Sequence, residues 1–151
     1  MKLQTRAVLT AGIVAATFAP AAFGWPGQPK VPAPRPATSS GPPPAWIESS
    51  SRSTWLAYSG YCWKTACADY LPPASRPDLP TISIVRGTAV RLHFGFRPSK
   101  VTITALGART STRNFVPAQI VTWSPRTAGI FTLSLRSPSG TVGYAGRVRF
   151  R

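Results

Sequence analysis

The sequence predicts an all-β protein: an Ig-like antiparallel β-sandwich of about seven strands, set behind a signal peptide and a proline-rich linker. Three observations carry that expectation. Several short runs alternate apolar and polar residues at period two, clearest in Val90, Leu92, Phe94 and Phe96 against Arg91, His93, Gly95 and Arg97. Turn residues interrupt those runs roughly every 8–12 residues, the rhythm of a sandwich. No window repeats its apolar side chains at helical spacing.

The elements follow in chain order. Residues 1–24 read as a secretory signal, with Lys2 and Arg6 ahead of the apolar run from Ala7 to Phe18. Small residues at Ala22 and Gly24 place cleavage after Gly24, or after Ala21 or Ala22. Pro20 interrupts the run short of the roughly 20 apolar residues a membrane span needs, so export is expected rather than an uncleaved anchor. Residues 25–44 form a linker in which prolines at 26, 29, 32, 34, 36, 42, 43 and 44 remove backbone donors and favour extended chain. The domain then runs over residues 45–151. Strands are expected at Thr54–Tyr58, Thr81–Val85, Val90–Phe96, Val101–Thr104, Ile120–Trp123, Ile130–Leu135 and Gly143–Phe150. Arg86-Gly87 and Pro138-Ser139-Gly140 supply turns between them.

Charge sets the class of partner. Eighteen Lys and Arg face three acids, Glu48, Asp69 and Asp78, for a formal charge of +15. Removing the leader cations Lys2 and Arg6 still leaves +13. Internal salt bridges cannot neutralise such an excess, so most of it faces solvent and attracts polyanions over about 8 Å at physiological salt. Arginine-rich codon usage would produce the same bias with no function attached. Alternation turns Arg91, Arg97, Arg147 and Arg149 outward, and on neighbouring strands they would form a stripe able to grip phosphate or carboxylate.

The stretch Ser59 to Tyr70, SGYCWKTACADY, carries the most information. In an exported chain with two cysteines, a Cys62–Cys67 disulfide is favoured over a redox pair, which normally has two intervening residues, or a zinc site, which needs about four ligands. Closing so short a loop contributes about 2 kcal/mol and fixes the turn after the first strand. Aromatics crowd around it. Trp46, Tyr58, Tyr61 and Trp63 are candidates for a platform on which sugar rings stack, and the competing reading has such rings, Trp55 and Trp63 above all, filling the core beside the bridge.

SGYCWKTACADY also resembles a signature of exported bacterial proteins in which Ser/Gly-Tyr-Cys-Trp precedes Cys-Ala/Val-Asp. TWSPRTAGIFTLSLR with TVGYAGRVRF resembles the closing hairpin of Ig-like sandwich modules. Together the two patterns span roughly Thr54 to Phe150. The resemblance implies a fold and a compartment, and no activity.

Catalytic signatures are not found. The single histidine, His93, is expected on the exposed face of its strand. A glycosidase pair would need two of the three acids face to face. Neither a metal nor a cofactor is expected. The expected function is a secreted or extracytoplasmic, non-catalytic binding or structural module, on an anionic cell-envelope polymer or acidic lipid headgroups, without specific nucleic-acid binding. Glycan binding through the aromatic cluster, and service as an accessory subunit of a secreted assembly, are the alternatives.

Overall fold

The computed structural model describes residues 41–50 and 52–151. The expected signal peptide, its cleavage site and linker residues 25–40 lie outside the described residues. Among the described residues, eleven strands make two sheets. They are β1 (Ala45–Glu48), β2 (Ser53–Trp55), β3 (Ala57–Trp63), β4 (Ala66–Asp69), β5 (Thr81–Ile84), β6 (Val90–Phe94), β7 (Lys100–Leu106), β8 (Ser111–Phe115), β9 (Ile120–Trp123), β10 (Gly129–Ser137) and β11 (Gly140–Phe150). The smaller sheet runs β2-β1-β6-β9, and the larger runs β4-β3-β11-β10-β7-β8. The fifth strand lies beside β11 in parallel, and the other pairings are antiparallel. The all-β sandwich is therefore the fold, with more strands than the seven expected. Of the additional ones, β1 follows a run of prolines, β4 completes the hairpin after Cys62, and β8 reads STRNF without an apolar alternation.

The long β11 organises the larger sheet. It is joined to β10 across a two-residue turn and accepts two partners on its other side, β3 along Gly140–Ala145 and β5 along Arg147–Phe150. Alternation then sorts its side chains: Val142, Tyr144 and Val148 are buried, while Thr141 and Arg149 are exposed. In the smaller sheet Val90, Leu92 and Phe94 face the same core as Val121 and Trp123, as their period predicted.

One transverse row explains where the core ends. Tyr58, Tyr144, Leu133, Ile103 and Arg113 stand opposite one another in turn on five successive strands, and so share one face. Tyr144, Leu133 and Ile103 are almost completely buried, yet Arg113 is exposed. Four strands do not cover the seven of the larger sheet, so the inner face of β8 looks out through the open side of the sandwich at Ser111 and Arg113, while Phe115 still packs against the core.

At the opposite side the fold begins before Ala45, earlier than composition suggested. The Tyr58 hydroxyl donates to the Pro42 carbonyl at 2.7 Å, and the Tyr144 hydroxyl donates to that of Pro43. Burial pushes the Tyr144 hydroxyl above the ordinary tyrosine range, and Tyr58 adds to the shift, so it stays a donor. Pro42 is buried, and a side chain at Gly95 would collide with Pro43 at 2.5 Å. The last prolines of the expected linker are thus part of the packed domain.

Candidate functional site

The four arginines singled out by alternation do not form one stripe. Arg91 is on β6 of the smaller sheet, whereas Arg147 and Arg149 are on β11 of the larger, so these strands are not neighbours. Arg97 is exposed in the segment after β6, Arg149 is exposed, and Arg147 is half-buried. Arg91 is already engaged: its guanidinium lies 2.9 Å from Glu48 Oε2, with the carboxylate side chain 3% exposed.

That carboxylate also receives His93 Nε2 at 2.9 Å, and Trp46 stacks flat on the imidazole with centroids 3.6 Å apart. His93 does project from the outer face of its strand, as expected, but it is 7% exposed, which corrects the expectation of a solvent-facing histidine. The cause is cross-strand pairing. Trp46 stands opposite His93, and Glu48 opposite Arg91, so β1 lays an aromatic lid and a counter-charge on β6. A carboxylate–imidazole pair performs acid–base chemistry where substrate reaches it. Here the pair is enclosed and fastens two strands.

Burial lowers the His93 pKa below 6.5, and Arg91 adds to the lowering, against the opposing pull of Glu48. A histidine held neutral in the fold contributes stability above pH 6.5 that is lost as pH falls through its depressed folded value. Because the chain has one histidine, its NMR titration reports this group directly. The expected midpoint lies below 6.5, and urea-melt stability is expected to decline in the same window. A midpoint at or above the free histidine value would refute this account.

The expected aromatic platform is dispersed. Trp63 is buried against Phe96, with ring centroids 4.8 Å apart, and Trp46 belongs to the other sheet. Tyr58 and Tyr61 do cluster, in company with Tyr70 and Tyr144, but Tyr58 and Tyr144 spend their hydroxyls on the chain's own prolines. Cys62 and Cys67 form the disulfide, facing each other across the β3–β4 hairpin.

A different set of arginines converges at the open side of the sandwich. Two adjoining compartments, of about 230 and 460 Å³, share Arg113, Trp123, Ser124 and Arg126 as a common wall. Arg109 lines the first and Arg86 the second, and all four arginines are exposed. Local structure explains each. Arg86 rides a tight turn closed by Thr88 N–H to the Val85 carbonyl at 3.1 Å, in which Gly87 takes φ +85°. Its guanidinium sits 4.9 Å from the Phe150 ring centroid, which helps to position it. Arg113 points inward from edge strand β8, Arg126 follows Pro125 after β9, and Arg109 lies in the β7–β8 connection.

None of the three acidic side chains lines either compartment. Glu48 is bound to β6, Asp69 is on β4, and Asp78 pairs with Arg76 at 3.0 Å. The guanidinium of Arg76 pulls the Asp78 carboxyl below its usual value. An inward arginine on an edge strand also blocks edge-to-edge pairing, which is reason enough for Arg113 alone. It does not explain three more arginines at the same opening. Among the described residues, no group of three or more His, Cys, Asp or Glu side chains is arranged to hold a metal ion. The disulfide is compatible with an extracytoplasmic location. The chain matches no family model, no curated protein and no solved structure.

Proposed function

We propose that this chain is an exported, non-catalytic module that engages an anionic ligand of the cell envelope through the arginine cleft between β8 and β9. One observation carries the reading: Arg86, Arg109, Arg113 and Arg126 gather around a shared concavity with no acidic side chain among its walls. Bringing four like charges together is unfavourable in the free protein, and an anion relieves it. Guanidinium groups suit the task, since each offers a planar fork of donors to a carboxylate or phosphate. The leader-like first 24 residues and the disulfide favour an envelope or extracellular setting for that ligand.

Retention on cell-wall fragments and acidic liposomes across a salt series tests it. The expected result is binding that outlasts a charge-matched basic protein as salt rises. The R113A/R126A variant is expected to elute with that control, while R147A/R149A, equal in charge, is expected to elute with the parent. Equal behaviour of the two double variants would remove the cleft from the explanation.

A further inference from the structure

We infer that the cleft takes an acidic glycan, a linear sugar chain bearing carboxylate, sulfate or phosphate-ester groups on neighbouring residues; this rests on the anion-binding reading above. Three features of the cleft select that ligand among polyanions. The first is its linear division. Arg113 and Arg126 stand in the wall common to both compartments, Arg109 lines one and Arg86 the other. A lone anion would satisfy only the central pair. A chain with charges on successive units places one in each compartment and meets all four guanidinium groups.

The second feature is the lining between the arginines. Ser111, Ser124 and Thr127 line the first compartment, and Thr122 and Ser124 the second. These hydroxyls both donate and accept, so they match sugar hydroxyls, whereas a bare phosphate chain has only acceptors to offer. The compartment volumes lie near the roughly 300–1,000 Å³ of small-ligand sites, room for a sugar ring rather than for a single ion.

The third feature concerns the rings. Trp123 lines both compartments but is only 7% exposed and packs against Phe131, with centroids 4.9 Å apart. Sequence-tolerant nucleic-acid binding uses open aromatic faces on which bases stack. A ring with so little open surface gives no such platform, yet it supplies an apolar contact for a sugar. A planar bilayer is also a poor match for charges gathered in a concavity, so lipid headgroups are disfavoured on shape.

Titration calorimetry on the full chain decides the matter. The probes are oligogalacturonides of increasing length, their methyl esters, a sulfated oligoglucan, polyphosphate of matched charge and a single-stranded oligonucleotide. At least one of the two acidic glycans is expected to bind at least about tenfold more tightly than polyphosphate or the oligonucleotide, and which one does so identifies the oxyanion. Affinity for it is expected to rise with chain length, and esterification is expected to abolish galacturonide binding. R113A/R126A is expected to weaken binding at least about tenfold, the scale of losing charged hydrogen bonds, with R147A/R149A close to the parent. R113K/R126K keeps charge and fold but loses the planar forks, and a clear loss of affinity is expected there too. Polyphosphate or DNA binding through the cleft as tightly as either glycan would overturn the glycan assignment and leave the anion site standing. Indifference of every probe to R113A/R126A would overturn both.

Discussion

Replacing Glu48 with alanine is expected to cost about 3–5 kcal/mol, the scale of withdrawing one member of a buried ion pair. The carboxylate is enclosed, and a single oxygen, Oε2, meets both the Arg91 guanidinium and His93 Nε2 at 2.9 Å. Alanine removes the only acid of this cluster while Arg91 and His93 stay in a poorly solvated place, on the strand at the centre of the smaller sheet. A domain of this size has about 5–15 kcal/mol in total, so the expected fall in melting temperature is about 15–30 °C. The mechanism is separable from loss of packing. Changing Glu48→Leu, Arg91→Met and His93→Leu together removes the charges along with their desolvation cost, and is expected to retain most of the stability that E48A loses. Denaturant melts of the two variants make the comparison. An E48A cost below about 1 kcal/mol, the scale of an exposed pair, would mean that the cluster is solvated after all.

The fate of His93 marks the boundary of what local pattern conveys. Period two assigns it correctly to the outer face of β6, because that depends only on its neighbours in the strand. Its burial depends on Trp46 and Glu48, more than forty positions earlier, arriving on β1 with the right register. Nothing near His93 announces that partner. The same division holds for the arginines. Alternation turns Arg91 and Arg147 out of the core, but only sheet topology separates β6 from β11 and so dissolves the expected stripe.

Conversely, the cleft was hidden because its strand is atypical. The inner face of β8 is Ser111, Arg113 and Phe115, of which Phe115 alone packs against the core, so the strand carries no apolar alternation. Arg86-Gly87 was legible as a turn, and Gly87 does adopt the left-handed backbone that such a turn needs. That the turn overlooks the same opening as Arg126 is a property of the closed sandwich alone. A cluster of arginines spread over forty residues of sequence, from 86 to 126, has no local signature.

Gly140→Ala is expected to be the most damaging small substitution in the domain, costing more than about 4 kcal/mol. Gly140 opens β11 at φ +135°, a conformation that L side chains rarely adopt. A Cβ there would fall 2.1 Å from the Cys62 carbonyl oxygen, 3.0 Å from its carbon and 3.1 Å from Trp63 Cα. All three are backbone atoms, so no side-chain rotation relieves the collision. They belong to the hairpin that the Cys62–Cys67 bridge closes, and the Lys64 amide is tied to the Ser139 carbonyl at 2.6 Å beside them. Retreat would therefore break the β3–β11 pairing that begins at Gly140 and Trp63. Gly87→Ala is a reference for a positive-φ glycine without the collision, since Gly87 at φ +85° has open space where its Cβ would go. That variant is expected to cost only about 1–2 kcal/mol, the scale of left-handed strain in an alanine. Thermal melts of the two would need to differ widely. Similar losses for both would show that the hairpin yields at Cys62, and that β3 is less firmly held to β11 than the close approach at Gly140 implies.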